Sequence, residues 1–162
     1  MPQRGENAMR DERYGFDDTR YVIADAVGKF VPQSFASRAL AVTVETDKDR
    51  YRRGESVQLT VTIRNKLPVP ISVATPGRRL WGWTVDGELE ASDEPRYEGG
   101  SAGKLTFRAS EEKVLRHEWS GRFKRVGDRT TWETPDRGTY EVGAFVAVEQ
   151  PRPEDSVLIR IG

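Results

Sequence analysis

The chain brings few reactive groups to any chemistry: one histidine, no cysteine, four tryptophans and a set of cations in which arginine far outnumbers lysine. Acid–base or zinc chemistry would have to run through His117. That residue sits mid-strand between Leu115 and Trp119, with no second histidine and no thiolate to complete a site, so it is expected to be structural or simply surface. The segment Asp86-Gly87-Glu88-Leu89-Glu90-Ala91-Ser92-Asp93-Glu94 holds five carboxylates, and calcium seeks converging oxygens of this kind. Their spacing does not follow an EF-hand loop, and glutamates alternating about Leu89 fit a solvated hairpin edge. No glycine-rich phosphate loop precedes a helix. No catalytic residue, metal ligand or cofactor is therefore expected, and the chain reads as a non-enzyme.

The tryptophans and arginines are the more informative group. Trp81 and Trp83 share one parity, and Trp119 and Trp132 lie beside later turns. Nearby stand Arg78, Arg79, Arg122, Lys124 and Arg125. A sandwich core commonly accepts one or two tryptophans, because each buries a large area. Four leave some half-exposed. Aromatic groups interleaved with arginine suit protein hot spots and single-stranded nucleic acid alike. The plain alternative is that the tryptophans fill the core and the arginine stems lie over it. With 26 Lys and Arg against 26 Asp and Glu the net charge is zero, which removes the global pull of a dedicated nucleic-acid binder. A protein partner is the functional expectation for Arg78, Arg79, Trp81, Trp83, Arg122, Lys124 and Arg125.

The elements that must carry these residues are strands. Val57, Leu59, Val61 and Ile63 alternate with Ser56, Gln58, Thr60, Thr62 and Arg64, which gives a strand with one dry face and one wet face. Gly54-Glu55 turns into it, and Asn65 closes it before Pro68 and Pro70. Asn65 is expected to hydrogen-bond its own turn, and the Pro-Val-Pro section to form a bend or a blunted edge. Similar alternation recurs at Leu40–Val44, Val69–Val73, Trp81–Val85, Leu105–Phe107, Val114–Trp119, Tyr140–Val148 and Val157–Ile161. Asp86-Gly87 is a strong hairpin signal, since both residues tolerate positive φ. Nothing alternates helix with strand, so the expected class is all-β: an antiparallel sandwich of seven to nine strands spanning residues 40–162.

The first 39 residues differ. Residues 1–19 are charged and almost free of aliphatic groups, which predicts a mobile tail. Met9 offers a second candidate start. Within residues 20–39 the sequence predicts a short amphipathic helix followed by a linker. Ile23, Val27 and Phe30 fall at helical spacing, Thr19 is placed to cap the helix, and Pro32 to stop it. These three apolar residues are further candidates for partner contact. No run is long and apolar enough to span a membrane, the N-terminus lacks the apolar region of a signal peptide, and cysteine is absent. A cytoplasmic location is the expectation.

The motifs also occur in a familiar order. Tyr51-x-x-Gly54-Glu55-x-Val57-x-Leu59 is followed by Asn65-Lys-Leu-Pro68-Val-Pro70-Ile71 and by Trp83-Thr-Val-Asp86-Gly87. The Glu111–Trp119 strand with Ser120-Gly121 comes next, and then Pro135-Asp-Arg-Gly138-Thr-Tyr140. In this order they resemble the BsuPI-type intracellular proteinase inhibitors, and Leu80–Gly87 is most similar to haloarchaeal proteins of the same architecture. The resemblance covers residues 40–162. It implies an immunoglobulin-like sandwich and a non-catalytic protein-binding module that inhibits intracellular serine proteases. The alternative is a structural or adaptor subunit of a larger assembly, docked through the N-terminal segment.

Overall fold

Alternating residues become paired strands where each apolar face finds an opposite one. Strands β1 (Leu40–Thr46) and β3 (Val57–Asn65) run antiparallel, with Val42 opposite Ile63 and Val44 opposite Val61. Strand β8 (Glu112–Trp119) flanks β3 on its other side and places Leu115 opposite Val61. The dry face of β3 is fully inside: Val57, Leu59, Val61 and Ile63 are each no more than 1% exposed. Burying an aliphatic side chain of this size contributes about 1.5–3 kcal/mol, so this strand anchors the fold.

The computed structural model describes residues 32–97 and 100–162. The tail at 1–19 and the helix expected around Ile23, Val27 and Phe30 lie outside the described residues. The segment read as linker is instead helical. Helix α1 (Gln33–Ala39) begins directly after Pro32, whose fixed φ and missing N–H suit the start of a helix. Ala36 and Ala39 are buried, and Gln33 Oε1 accepts a hydrogen bond from Ala74 N at 2.9 Å.

The second sheet has five strands, in the order β2 (Arg50–Tyr51), β12 (Glu154–Ile161), β11 (Gly138–Val146), β5 (Trp81–Val85) and β6 (Glu88–Leu89). All its pairs are antiparallel except β12 with β2. Val85, Val142, Val146, Ile159 and Ile161 supply its inner face. Two further pairs complete the chain. Strands β4 (Ile71–Thr75) and β7 (Gly103–Phe107) prolong the β3–β8 ladder beyond a corner. Strands β9 (Phe123–Val126) and β10 (Thr130–Glu133) form a hairpin joined to the end of β6 through a bridge between Ser92 and Lys124. The molecule is an immunoglobulin-like β-sandwich with one short helix among the described residues. The described residues form twelve strands; eight of them match the expected seven to nine, and four short ones (β2, β6, β9 and β10) carry no readable alternation.

Side-chain hydrogen bonds fix the corners. Asn65 is wholly buried; its Nδ2 donates to the carbonyls of Val69 and Arg108 at 2.8 and 2.9 Å, and its Oδ1 accepts from Leu67 N at 3.0 Å. Tyr140 donates to the Asp136 carbonyl at 2.8 Å, the tyrosine corner found at this point of immunoglobulin-like folds. Gly54-Glu55 and Ser120-Gly121, distant in sequence, meet backbone to backbone. A Cβ on Gly121 would stand 2.1 Å from the Glu55 carbonyl oxygen.

Candidate functional site

The four tryptophans separate sharply by environment. Trp119 is 2% exposed; its indole N–H donates to the Arg122 carbonyl at 2.9 Å, and its ring meets Phe123 edge-on at 5.5 Å. Trp83 is 7% exposed, with the His117 ring 4.8 Å away. His117 therefore serves as packing against an indole at the rim of the sandwich. Trp81 is half-buried against the core. Trp132 alone stands out, 56% exposed on β10. The candidate surface accordingly loses Trp83, whose ring belongs to the core, and gains Trp132.

The basic candidates fall around the 86–94 segment. Asp86 and Gly87 both have positive φ, as the tight turn between β5 and β6 requires. The chain after that turn runs past β9, and its carboxylates meet the cations there. Arg125 grips Glu88 with two guanidinium nitrogens, at 2.5 and 3.3 Å, and reaches Glu133 on β10 through Nε at 2.8 Å. Its guanidinium also lies over the Phe123 ring at 5.0 Å. Arg79 and Arg96 share Glu90, each at 2.8 Å, and Lys124 reaches Glu94 at 2.8 Å. Asp93 accepts from Val126 N at 2.8 Å, and Asp86 from Glu141 N at 2.7 Å. Every carboxylate of the segment thus has a protein donor.

The protonation equilibria follow this geometry. Partial burial alone would raise Glu90, but Arg79 and Arg96 outweigh it and hold the carboxyl below its ordinary range. The Lys124 ammonium does the same for Glu94. Glu88 and Glu133 in turn push the Arg125 guanidinium further toward its protonated form. Arg79, Lys124 and Arg125 are thereby engaged within the molecule: Lys124 and Arg125 fasten the β9–β10 hairpin to the sandwich, and Arg79 holds Glu90 in the segment beyond β6. Arg78 and Arg122 remain exposed. Ile23, Val27 and Phe30 lie outside the described residues, so the structure brings them to no site.

What the fastened hairpin presents is an edge. In the β9–β10 register Trp132 faces Lys124 and Thr130 faces Val126, so these four share one face, on which Trp132, Thr130 and Val126 are exposed while Lys124 turns to Glu94. Val126 is 38% exposed beside Trp132. Among the described residues no strand lies on the far side of β10. Its sequence there, Thr-Thr-Trp-Glu, has no proline, and its single charge, Glu133, is taken up by Arg125. The free edge of β8 differs: Lys113, Arg116 and Glu118 place charges along it. No signal in the sequence marked β10, because its four residues are all exposed and do not alternate. Trp132 was visible only as one of four indoles.

Solved structures with similar backbones are remote likenesses. The CARDB domain of the PF1109 protein from Pyrococcus furiosus, solved with di-metal ions, is 14% identical with a TM-score of 0.46, over 76% of this chain and 87% of that one. A β-glucosidase from Listeria innocua bound to isofagomine is 15% identical with a TM-score of 0.47, and one from Erythrobacter marinus is 9% identical with a TM-score of 0.47; each is matched over 76% of this chain. The match spans only 16% and 15% of those two glucosidases' lengths. A comparison with curated proteins finds no match. A sequence family does match, over residues 28–162, and the chain belongs to it: DUF7974, a family of unknown function.

Proposed function

We propose that this protein is a non-catalytic binding module that captures an extended segment of a partner protein along the outer edge of β10, with Trp132 as the side-chain anchor. The observation that carries the reading is a tryptophan 56% exposed on a strand whose far edge is unpaired among the described residues. Strand addition supplies main-chain hydrogen bonds for affinity, and flanking side chains supply selectivity. A half-exposed indole offers a large, rigid contact at little entropic cost, which is why tryptophan dominates interface hot spots. The ion pairs of Arg125 support the same reading, since an edge receives a partner well only when its strand is held in place.

The resemblance to BsuPI-type inhibitors makes an intracellular serine protease the first partner to try. The test compares wild type with Trp132→Ala and Trp132→Lys against a subtilisin-type protease and in affinity capture from the native host. Both variants are expected to keep the wild-type melting temperature, because the side chain is exposed. Both are expected to lose capture, the lysine variant more completely because a charge guards the edge. Unchanged capture in both would reject the β10 site. Capture that depends on Trp132 without protease inhibition would retain the module and discard the inhibitor role.

A further inference from the structure

At the opposite margin of the five-stranded sheet lies an open cleft of about 540 Å³ where β2 meets β12. The parallel register sets Arg50 beside Arg160 and Tyr51 beside Ile161. Tyr51 and Ile161 are buried at 4% and 2%, so the two arginines project together from the outer face. Arg52 follows Arg50 at the spacing of a strand and also lines the cleft. The backbone beneath them is held: Arg160 N donates to the Asp49 carbonyl at 2.8 Å, and Gly162 N to that of Tyr51 at 3.0 Å.

Like charges directly across from one another on neighbouring strands oppose the fold. Elsewhere this molecule answers its close cations with carboxylates, Arg125 with Glu88 and Glu133 and Arg79 with Glu90, and within the cleft itself Glu55 is taken up by Lys48. Among the described residues Arg50, Arg52 and Arg160 have no such partner. Lys48, Arg50, Arg52 and Arg160 against Glu55 leave three positive charges in excess among the lining side chains. We propose that the cleft binds a multiply charged phosphate-type anion, held by the guanidinium forks of Arg50 and Arg160. Arginine presents paired donors that match such an anion two at a time, and an anion would relieve the repulsion between them.

Pyrophosphate titrated into the full chain and followed by amide NMR tests this. The amides of residues 50–52 and 160–162 are expected to shift while those of β10 stay in place. In the double variant Arg50→Gln, Arg160→Gln, binding is expected to weaken at least about tenfold, the scale of one charge-assisted contact. Both arginines are exposed, and the dispersion of the same spectra verifies the fold. Co-sedimentation with vesicles of equal parts phosphatidylcholine and phosphatidic acid separates the two sources of such a group. Sedimentation lost in the double variant assigns a lipid headgroup, and pyrophosphate shifts without sedimentation assign a soluble ligand. Silence in both assays, or responses unchanged in the double variant, overturns the proposal. The β10 reading is unaffected either way.

Discussion

Gly121 and Asn65 show how single residues hold this sandwich at its corners. Gly121 has φ +72°, and a Cβ there would lie 2.1 Å from the Glu55 carbonyl oxygen. Gly121→Ala must therefore both accept a left-handed conformation, at about 1–2 kcal/mol, and force two backbones apart. A loss of at least about 2 kcal/mol is expected in urea denaturation. A loss below about half a kcal/mol would mean that the two turns do not touch. Asn65→Leu keeps the volume but strips hydrogen bonds from the Val69 and Arg108 carbonyls and the Leu67 amide. Leaving such groups buried and unpaired costs about 1–3 kcal/mol each, so a loss near 3 kcal/mol is expected once partial hydration of the exposed flanks is allowed for. A near-neutral result by the same titration would show the corner stands on its prolines alone.

At the level of elements, the β9–β10 hairpin depends on side chains more than on core burial, since all four residues of β10 are exposed. Arg125 joins β9 to Glu88, the first residue of β6, and to Glu133 on β10. Arg125→Gln is expected to lower hydrogen-exchange protection across residues 123–133 by roughly tenfold or more while leaving β11 and β12 protected. Equal protection in wild type and variant would show that the backbone alone holds the hairpin. The same contrast explains what the sequence could reveal. Strands with a buried face, such as β3 with Val57 to Ile63 and β5 with Trp81 to Val85, announce themselves because burial forces apolar residues to every second position. Strands β9 and β10 bury little beyond Phe123, so no period is imposed on them. The candidate site was legible as a composition of arginine and tryptophan. Which tryptophan faced water, and that Arg79, Lys124 and Arg125 would meet Glu90, Glu94 and Glu88, depended on which strands became neighbours. The helix of residues 33–39 was hidden for a related reason: Pro32, read as a stop, stands where a helix starts.

Across the whole molecule the ion pairs make a common prediction about pH. Asp47, Glu55, Glu90, Glu94 and Glu111 are all held below their ordinary carboxylate values, 3.8 for the aspartate and 4.5 for the glutamates. The Tyr51 hydroxyl does most of this at Asp47, Lys48 at Glu55, Lys124 at Glu94 and the Arg108 amide at Glu111. For each, the unfolded chain takes up its proton at a higher pH than the folded one. Their contribution is complete above the unfolded values and is lost as pH falls through the lower folded values, so stability rises with pH across the acid range. Tyr51 shifts the opposite way. Burial and its hydrogen bond to Asp47 push the phenol from 10.0 up to about 12. That contribution is complete below 10.0 and is lost as pH climbs toward about 12. Denaturant midpoints should therefore trace a plateau through neutral pH with a fall on each side. Tyr51→Phe removes the donor to Asp47 at 2.7 Å and with it Tyr51's share of the alkaline fall, leaving the share of Tyr140, whose phenol burial also raises; it lowers the plateau by about 1 kcal/mol and returns the Asp47 carboxyl toward 3.8 in an NMR titration. An alkaline fall undiminished in the Tyr51→Phe variant would assign it to other groups and break the link between this tyrosine and Asp47 in the loop joining β1 to β2.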